Sequence, residues 1–250
     1  MNRILTMLAA STCAAVAISS TCFAAEWSAL PFHLAKTKDA GRVQFSIQQR
    51  QDGRRTGNWS QSLALGDLQG LGAAQLQARN ATPVRFALVR PAGRFDCTGS
   101  VRFFDGHGRC TFAADVAFSD MLAKRGVGRP SLAQSYKLAL SNFRPEVLDA
   151  LAAAGYPRPT LEQSAALGIF KIGPAYVRGL ADAGYRLGAI DDLVAFKIHK
   201  VTPEFIASFA RVGHRNLPAD RLVAMRIFGV TPTMSARSRR GGSQRHRPAS

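Results

Sequence analysis

From Glu26 to about Asp115, apolar and polar residues alternate with period two, the pattern of strands that bury one face. Val43-Gln-Phe45-Ser-Ile47 alternates cleanly and Trp59-Ser-Gln-Ser-Leu63-Ala-Leu65 more loosely. Val84-Arg-Phe86-Ala-Leu88-Val-Arg90 puts Val84, Phe86 and Leu88 on one side. The stretches Phe95 to Phe104 and Cys110 to Phe112 flank Asp105-Gly106-His107-Gly108, whose glycines suit the positive φ of a tight hairpin turn. Asp67 to Gln77 reads as a short helix or turn. The pattern predicts a small antiparallel β domain over residues 26–116 with one face buried.

From residue 117 the pattern changes to a repeat. Pro145, Pro174, Pro203 and Pro232 are spaced by 29 residues. Gly155, Gly184 and Gly213 follow at fixed distance, each with a ring behind it: Tyr156, Tyr185 and His214. Leu140, Ile169, Ile198 and Ile227 precede the prolines in register, as do Leu138, Leu167, Phe196 and Met225. Such matches at one spacing mark a tandem array. Each unit reads as two short helices. Thr202-Pro203-Glu204 supplies an N-cap, a first-turn proline and an acid at the positive helix end. Gly184 and Gly213 end helices as left-handed caps. Thr160-Leu-Glu-Gln163 is a capping box, and Asp191-Asp192 opens the corresponding helix a unit later. Leu193, Phe196 and Ile198, like Leu222, Met225 and Ile227, are expected to be buried. Ser131-Leu-Ala-Gln134 opens a leading half unit, making about three and a half units. A pair this short cannot bury its own apolar face, so neighbours must stack. The predicted class is α+β: the β domain, then a helical repeat stack over residues 117–234 with two helices per 29-residue unit.

The chain ends change the picture. Arg3, the apolar run Ile4–Ile18 and small residues up to Ala25 have the order of a secretory signal over residues 1–25, too short for a bilayer span. The expected location is periplasmic or secreted, with no transmembrane segment in the mature chain. Residues 235–250 carry Arg237, Arg239, Arg240, Arg245 and Arg247 with no acid, and read as a disordered basic tail. Over 250 residues, 33 Lys and Arg against 16 acids give +17, which excludes an acidic disordered chain. Beyond the leader the thiols are Cys97 and Cys110, and an oxidising compartment favours a bridge. If Gly106-His107 is the hairpin turn, however, Cys110 faces Phe103 and lies about 20 Å from Cys97. A bridge then requires a bulge, a sheet switch or a different register.

Ala92-Gly-Arg-Phe-Asp-Cys-Thr-Gly99, the Gly106-His-Gly108 segment and units such as Leu193-Val-Ala-Phe-Lys-Ile-His-Lys-Val-Thr-Pro-Glu-Phe-Ile206 resemble a bacterial exported family of poorly known function. Similar units in that family also occur attached to antirepressor-type zinc metallopeptidases of the penicillin-sensor kind. The resemblance implies an envelope-facing sensing or interaction region and brings no active-site residues. No His-Glu-x-x-His is present, so peptidase activity does not follow.

Catalytic patterns are absent from the sequence. His33, His107, His199, His214 and His246 show no metal-ligand spacing, no Gly-x-Ser-x-Gly occurs, and Asp105-Gly-His-Gly lacks the carboxylates of a calcium loop. No enzyme activity, metal or cofactor is therefore expected. The expected role is a non-catalytic interaction or sensing module of the cell envelope, binding a protein partner through the helical repeats. A polyanion binder, for lipopolysaccharide or nucleic acid, is the alternative. Its candidate residues are Lys171, Lys197, Lys200 and Arg226 near helix C-termini, with Arg237, Arg239 and Arg240 of the tail. Helix-dipole compensation alone also accounts for the first four.

Overall fold

Alternation in the first half does produce strands. The computed structural model describes residues 27, 29–51 and 54–234, so the expected leader and basic tail lie outside the described residues. The strands are β1 (Leu30–Lys36), β2 (Arg42–Gln51), β3 (Arg54–Ala64), β4 (Leu68–Gln69), β5 (Thr82–Arg90), β6 (Gly93–Arg102) and β7 (Asp105–Ala114). They form one curled antiparallel sheet in the order β3-β2-β1-β7-β6-β5-β4. A 3-10 turn at Leu65–Asp67 and helix α1 (Ala73–Gln77) fill the segment read as a short helix or turn. Phe32, Leu34, Val43, Phe45, Ile47, Val84, Phe86, Leu88, Phe95, Cys97 and Phe112 are buried on the inner face. Helices accompany the sheet, which makes the class α+β.

The β6–β7 hairpin differs from expectation. Its turn is Phe103-Phe104, both at positive φ (46° and 68°), and Asp105–Gly108 belongs to β7. Two left-handed central residues define a type I′ turn, normally served by Asn and Gly. Here the two amides donate to the carbonyls of Ala78 (2.8 Å) and Leu76 (2.7 Å) at the end of α1, which fixes the conformation despite the bulky rings. The glycines have another use. A Cβ on Gly106 would lie 3.0 Å from the Leu34 side chain, and one on Gly108 would lie 2.6 Å from the Phe32 ring. Glycine therefore lets the inner-face side chains of β1 settle onto β7. Moving the turn by three residues changes the register, so that Cys97 faces Cys110. The two form a disulfide with Cα atoms 4.0 Å apart, close to the ~4.5 Å of a non-hydrogen-bonded cross-strand pair.

The described residues divide into two compact units, one running to Ala87 and including Phe95–Phe112, the other comprising Leu88–Arg94 and residues from Ala113 onward. The tip of the β5–β6 hairpin, Leu88–Arg94, belongs to the second of these units.

The helices of the second unit are α2 (Val116–Lys124), α3 (Leu132–Leu140), α4 (Val147–Ala153), α5 (Leu161–Ile169), α6 (Pro174–Asp182), α7 (Ile190–Ile198), α8 (Pro203–Arg211) and α9 (Ala219–Ile227). Leu132, Leu161, Ile190 and Ala219 open α3, α5, α7 and α9 at 29-residue intervals. Val116, Pro174 and Pro203 open α2, α6 and α8 in the same phase, whereas α4 starts two residues late behind a turn at Pro145-Glu146. Ser131 and Thr160 form capping boxes with Gln134 and Gln163, and the Thr202 hydroxyl accepts from the Phe205 amide. The ends are equally regular. Left-handed residues close one set of helices at Gly126, Gly155, Gly184 and Gly213, and the other at Asn142, Lys171, Lys200 and Gly229. Each is followed by an amide bonded back to the carbonyl five residues earlier, as from Val127 to Leu122 and from Val201 to Phe196. These are Schellman ends. Helix α2, which opens on valine where later helices have proline, was outside the units expected from sequence.

Helices two apart in the chain pack together: α3 on α5, α5 on α7, α4 on α6, and α6 on α8. Leu167, Leu180, Leu193, Phe209 and Leu222 are fully buried between them. Ile198 and Ile227, expected in this core, are instead exposed at the last positions of α7 and α9, while Phe196 and Met225, two residues earlier and on another side of each helix, are buried. Close approach is marked at Gly168, where a Cβ would lie 2.7 Å from the Ser141 carbonyl oxygen and 3.0 Å from the Phe143 Cα. Gly168→Ala should therefore cost about 1–3 kcal/mol, despite alanine's ~1 kcal/mol helix-propensity advantage. A denaturant midpoint at or above that of the wild type would show that the two segments have room to separate.

Candidate functional site

Two features of the described residues carry side chains in arrangements that packing does not require. The first is the C-terminal edge of α5, α7 and α9. Ile169, Ile198 and Ile227, the last residues of these helices, are 61%, 49% and 58% exposed, while Leu140 at the same place in α3 is buried. Apolar exposure returning at one structural position differs from the scattered apolar residues of any surface. Phe228, next to Ile227, is also exposed.

The candidate cations sit on this edge but fall into two classes. Lys171 and Lys200 occupy the left-handed positions just beyond α5 and α7, at φ 52° and 57°, and are exposed. Lys197 and Arg226 are half-buried against rings. The Lys197 ammonium lies 4.4 Å from the centre of the Tyr176 ring, and the Arg226 guanidinium 3.8 Å from that of Phe205. Both pairs are cation–π contacts at equivalent positions, 29 residues apart, so these two cations take part in helix packing. Arg237, Arg239 and Arg240 lie outside the described residues.

The opposite edge of the same helices is acidic, and its groups are tied together. Gln134 donates to Glu162 across 3.3 Å, and Gln163 donates to Asp191 across 3.2 Å. Acids at the N-termini and cations at the C-termini both complement the helix dipoles. What separates the edges is the exposed isoleucine series. Tyrosines beside the helix-ending glycines reach segments about thirty residues further along the chain: the Tyr156 hydroxyl accepts from the Leu187 amide at 3.3 Å, and Tyr185 donates to the Leu217 carbonyl at 2.7 Å. Burial, the leading cause, pushes both phenols above their ordinary pKa.

The second feature is a cluster on the outer face of the sheet. His33 stands at the middle of β1, directly across from His107 on β7, and Asp105 precedes His107 by one pleat on the same face. The Nε2 atoms of His33 and His107 lie 3.1 Å and 2.8 Å from one oxygen, Asp105 Oδ1. The two rings stack with centroids 4.6 Å apart and 24° between planes. The hydrogen bond with His33, aided by the charge of His107, holds the Asp105 carboxyl below the ordinary carboxylate range. His33 is half-buried and the other two are exposed.

No family model, curated protein or solved structure matches the chain.

The sequence alone does not relate these three side chains, because 72 residues separate His33 from Asp105 and the β1–β7 register unites them. His199 closes α7 and His214 packs 6.3 Å from the Phe209 ring, so neither joins this cluster. No helix among the described residues is long and apolar enough to cross a membrane.

Proposed function

We propose that this chain is an exported, non-catalytic interaction or sensing module of the bacterial envelope, related to the family its repeat units resemble. In this reading α2–α9 form a tandem array of 29-residue helix pairs. The C-terminal edge of α5, α7 and α9 binds a protein segment that carries both apolar side chains and carboxylates. The observation that carries the reading is the exposed series Ile169, Ile198 and Ile227 beside the free ammonium groups of Lys171 and Lys200. Burying three such side chains supplies the apolar part of the binding energy, and the lysines select an acidic partner over a neutral one. The Cys97–Cys110 disulfide supports export, since such bonds persist in oxidising compartments. With Lys197 and Arg226 engaged on rings, the edge is a poorer match for a polyanion, which rewards a dense array of free cations.

The test is site-specific photo-crosslinking in the cell envelope. A photoreactive residue at position 198 or 227 should give one discrete protein adduct, and one at Glu162 on the opposite edge should give none. Ile198→Asp should reduce adduct formation at position 227 about tenfold, with the melting temperature unchanged, because the side chain is exposed. Equal adducts from both edges would overturn the assignment. So would retention on heparin or lipopolysaccharide that is salt-sensitive and indifferent to Ile198→Asp, which is the behaviour of a polyanion binder.

A further inference from the structure

The outer-face cluster on β1 and β7 lies on the other compact unit and has no part in the reading above. Its three groups are chemically unlike the neutral polar residues beside them: on β2, Ser46 stands opposite His33 and its hydroxyl lies 2.8 Å from that of Ser60 on β3. Inner-face packing sets the geometry of the cluster. Phe32 and Leu34 flank His33 in β1 and point to the core, where they lie over Gly108 and Gly106, the residues on either side of His107. Because successive strand residues alternate faces, burying that pair of side chains fixes His33, Asp105 and His107 on the outside. The disulfide ties β7 to β6 three residues beyond His107. The donor atoms therefore stand on strands whose register is locked, the condition for a preorganised site.

We propose that His33, Asp105 and His107 bind a divalent transition-metal ion of the Zn²⁺ or Cu²⁺ class. One nitrogen from each imidazole and one carboxylate oxygen lie within 4.8 Å of one another. Bonds of about 2.0–2.1 Å to a central ion bring tetrahedral ligand atoms to roughly 3.3 Å apart, within reach of small side-chain rotations here. Both Nε2 atoms already address a single point, the Asp105 Oδ1 position. Two imidazoles with one carboxylate suit Zn²⁺, Cu²⁺, Ni²⁺ or Co²⁺, whereas Ca²⁺ and Mg²⁺ require sets of oxygen ligands. Three protein ligands on an exposed face leave at least one position for water or an outside donor. The bound ion is thus exchangeable, in keeping with acquisition or sensing rather than a structural staple.

The experiment is a metal titration of the untagged chain, following Zn²⁺ by competition with a chromophoric chelator and Co²⁺ by its visible absorption. One equivalent of Zn²⁺ should bind, and Ca²⁺ or Mg²⁺ should not displace it. His33→Ala and His107→Ala should each weaken binding by about tenfold or more, and Asp105→Asn by a similar factor. His199→Ala and His214→Ala should leave it unchanged. Zn²⁺ should raise the melting temperature of the wild type but not that of His107→Ala, and the metal-free melting temperatures should agree, which separates ligand loss from misfolding. Absence of stoichiometric binding at micromolar metal would overturn the proposal, and so would binding that is indifferent to His33→Ala and His107→Ala.

Discussion

Phe209→Ala is expected to cost about 3–5 kcal/mol. The ring is fully buried in α8, with its centroid 5.0 Å from Phe205 in an edge-on contact and 6.3 Å from His214. Truncation removes its transfer energy and leaves a cavity between helices that are held apart by their other contacts. Phe228→Ala provides the control, since that ring is 79% exposed and should change stability by no more than about 0.5 kcal/mol. Urea denaturation followed by far-ultraviolet circular dichroism measures both variants, with an unchanged slope as evidence that the same transition is compared. A loss below about 1 kcal/mol for Phe209→Ala would mean that its ring does not fill the space between α6 and α8.

Removing the disulfide comes next. Replacing both Cys97 and Cys110 by serine should cost about 3 kcal/mol, the loop-closure entropy for a crosslink spanning 13 residues. Dithiothreitol should lower the stability of the wild-type chain by a similar amount and leave the double variant unaffected. The loss falls on the sheet, where β6 and β7 are central strands. Free thiols at both positions in protein recovered from an oxidising compartment would contradict the β6–β7 register, because the bridge depends on Cys97 standing opposite Cys110.

The helical portion is legible in sequence because its boundaries are chemical. Ser131 and Thr160 accept from helix amides, Pro174 and Pro203 occupy first turns, and Gly155, Gly184 and Gly213 take up left-handed ends. These residues act locally, so their spacing survives without knowledge of the tertiary fold. Helix α2 is less legible, because Asp115 and Gly126 mark its ends while Val116 stands where Pro174 and Pro203 open later helices. The exposure of Ile198 and Ile227 is not a local property, since Leu140 ends α3 at the corresponding position and is buried. The β6–β7 turn misled for a related reason. Phe103 and Phe104 have little intrinsic preference for positive φ, and the carbonyls of α1 that hold them there come from residues about 25 positions away. The histidine cluster is farther still from local reasoning, since it follows only once the hairpin register and the β1–β7 pairing are both known.

The ends of α5 and α7 place lysine where the backbone favours glycine, as Gly229 supplies after α9. A left-handed lysine costs roughly 1 kcal/mol or more in local sterics, which an exposed charge near a helix C-terminus offsets only in part. Trading either one for glycine would relax the chain and strip a positive charge from that rim. Fold stability and charge display therefore pull in opposite directions at Lys171 and Lys200, and the sequence has settled on charge.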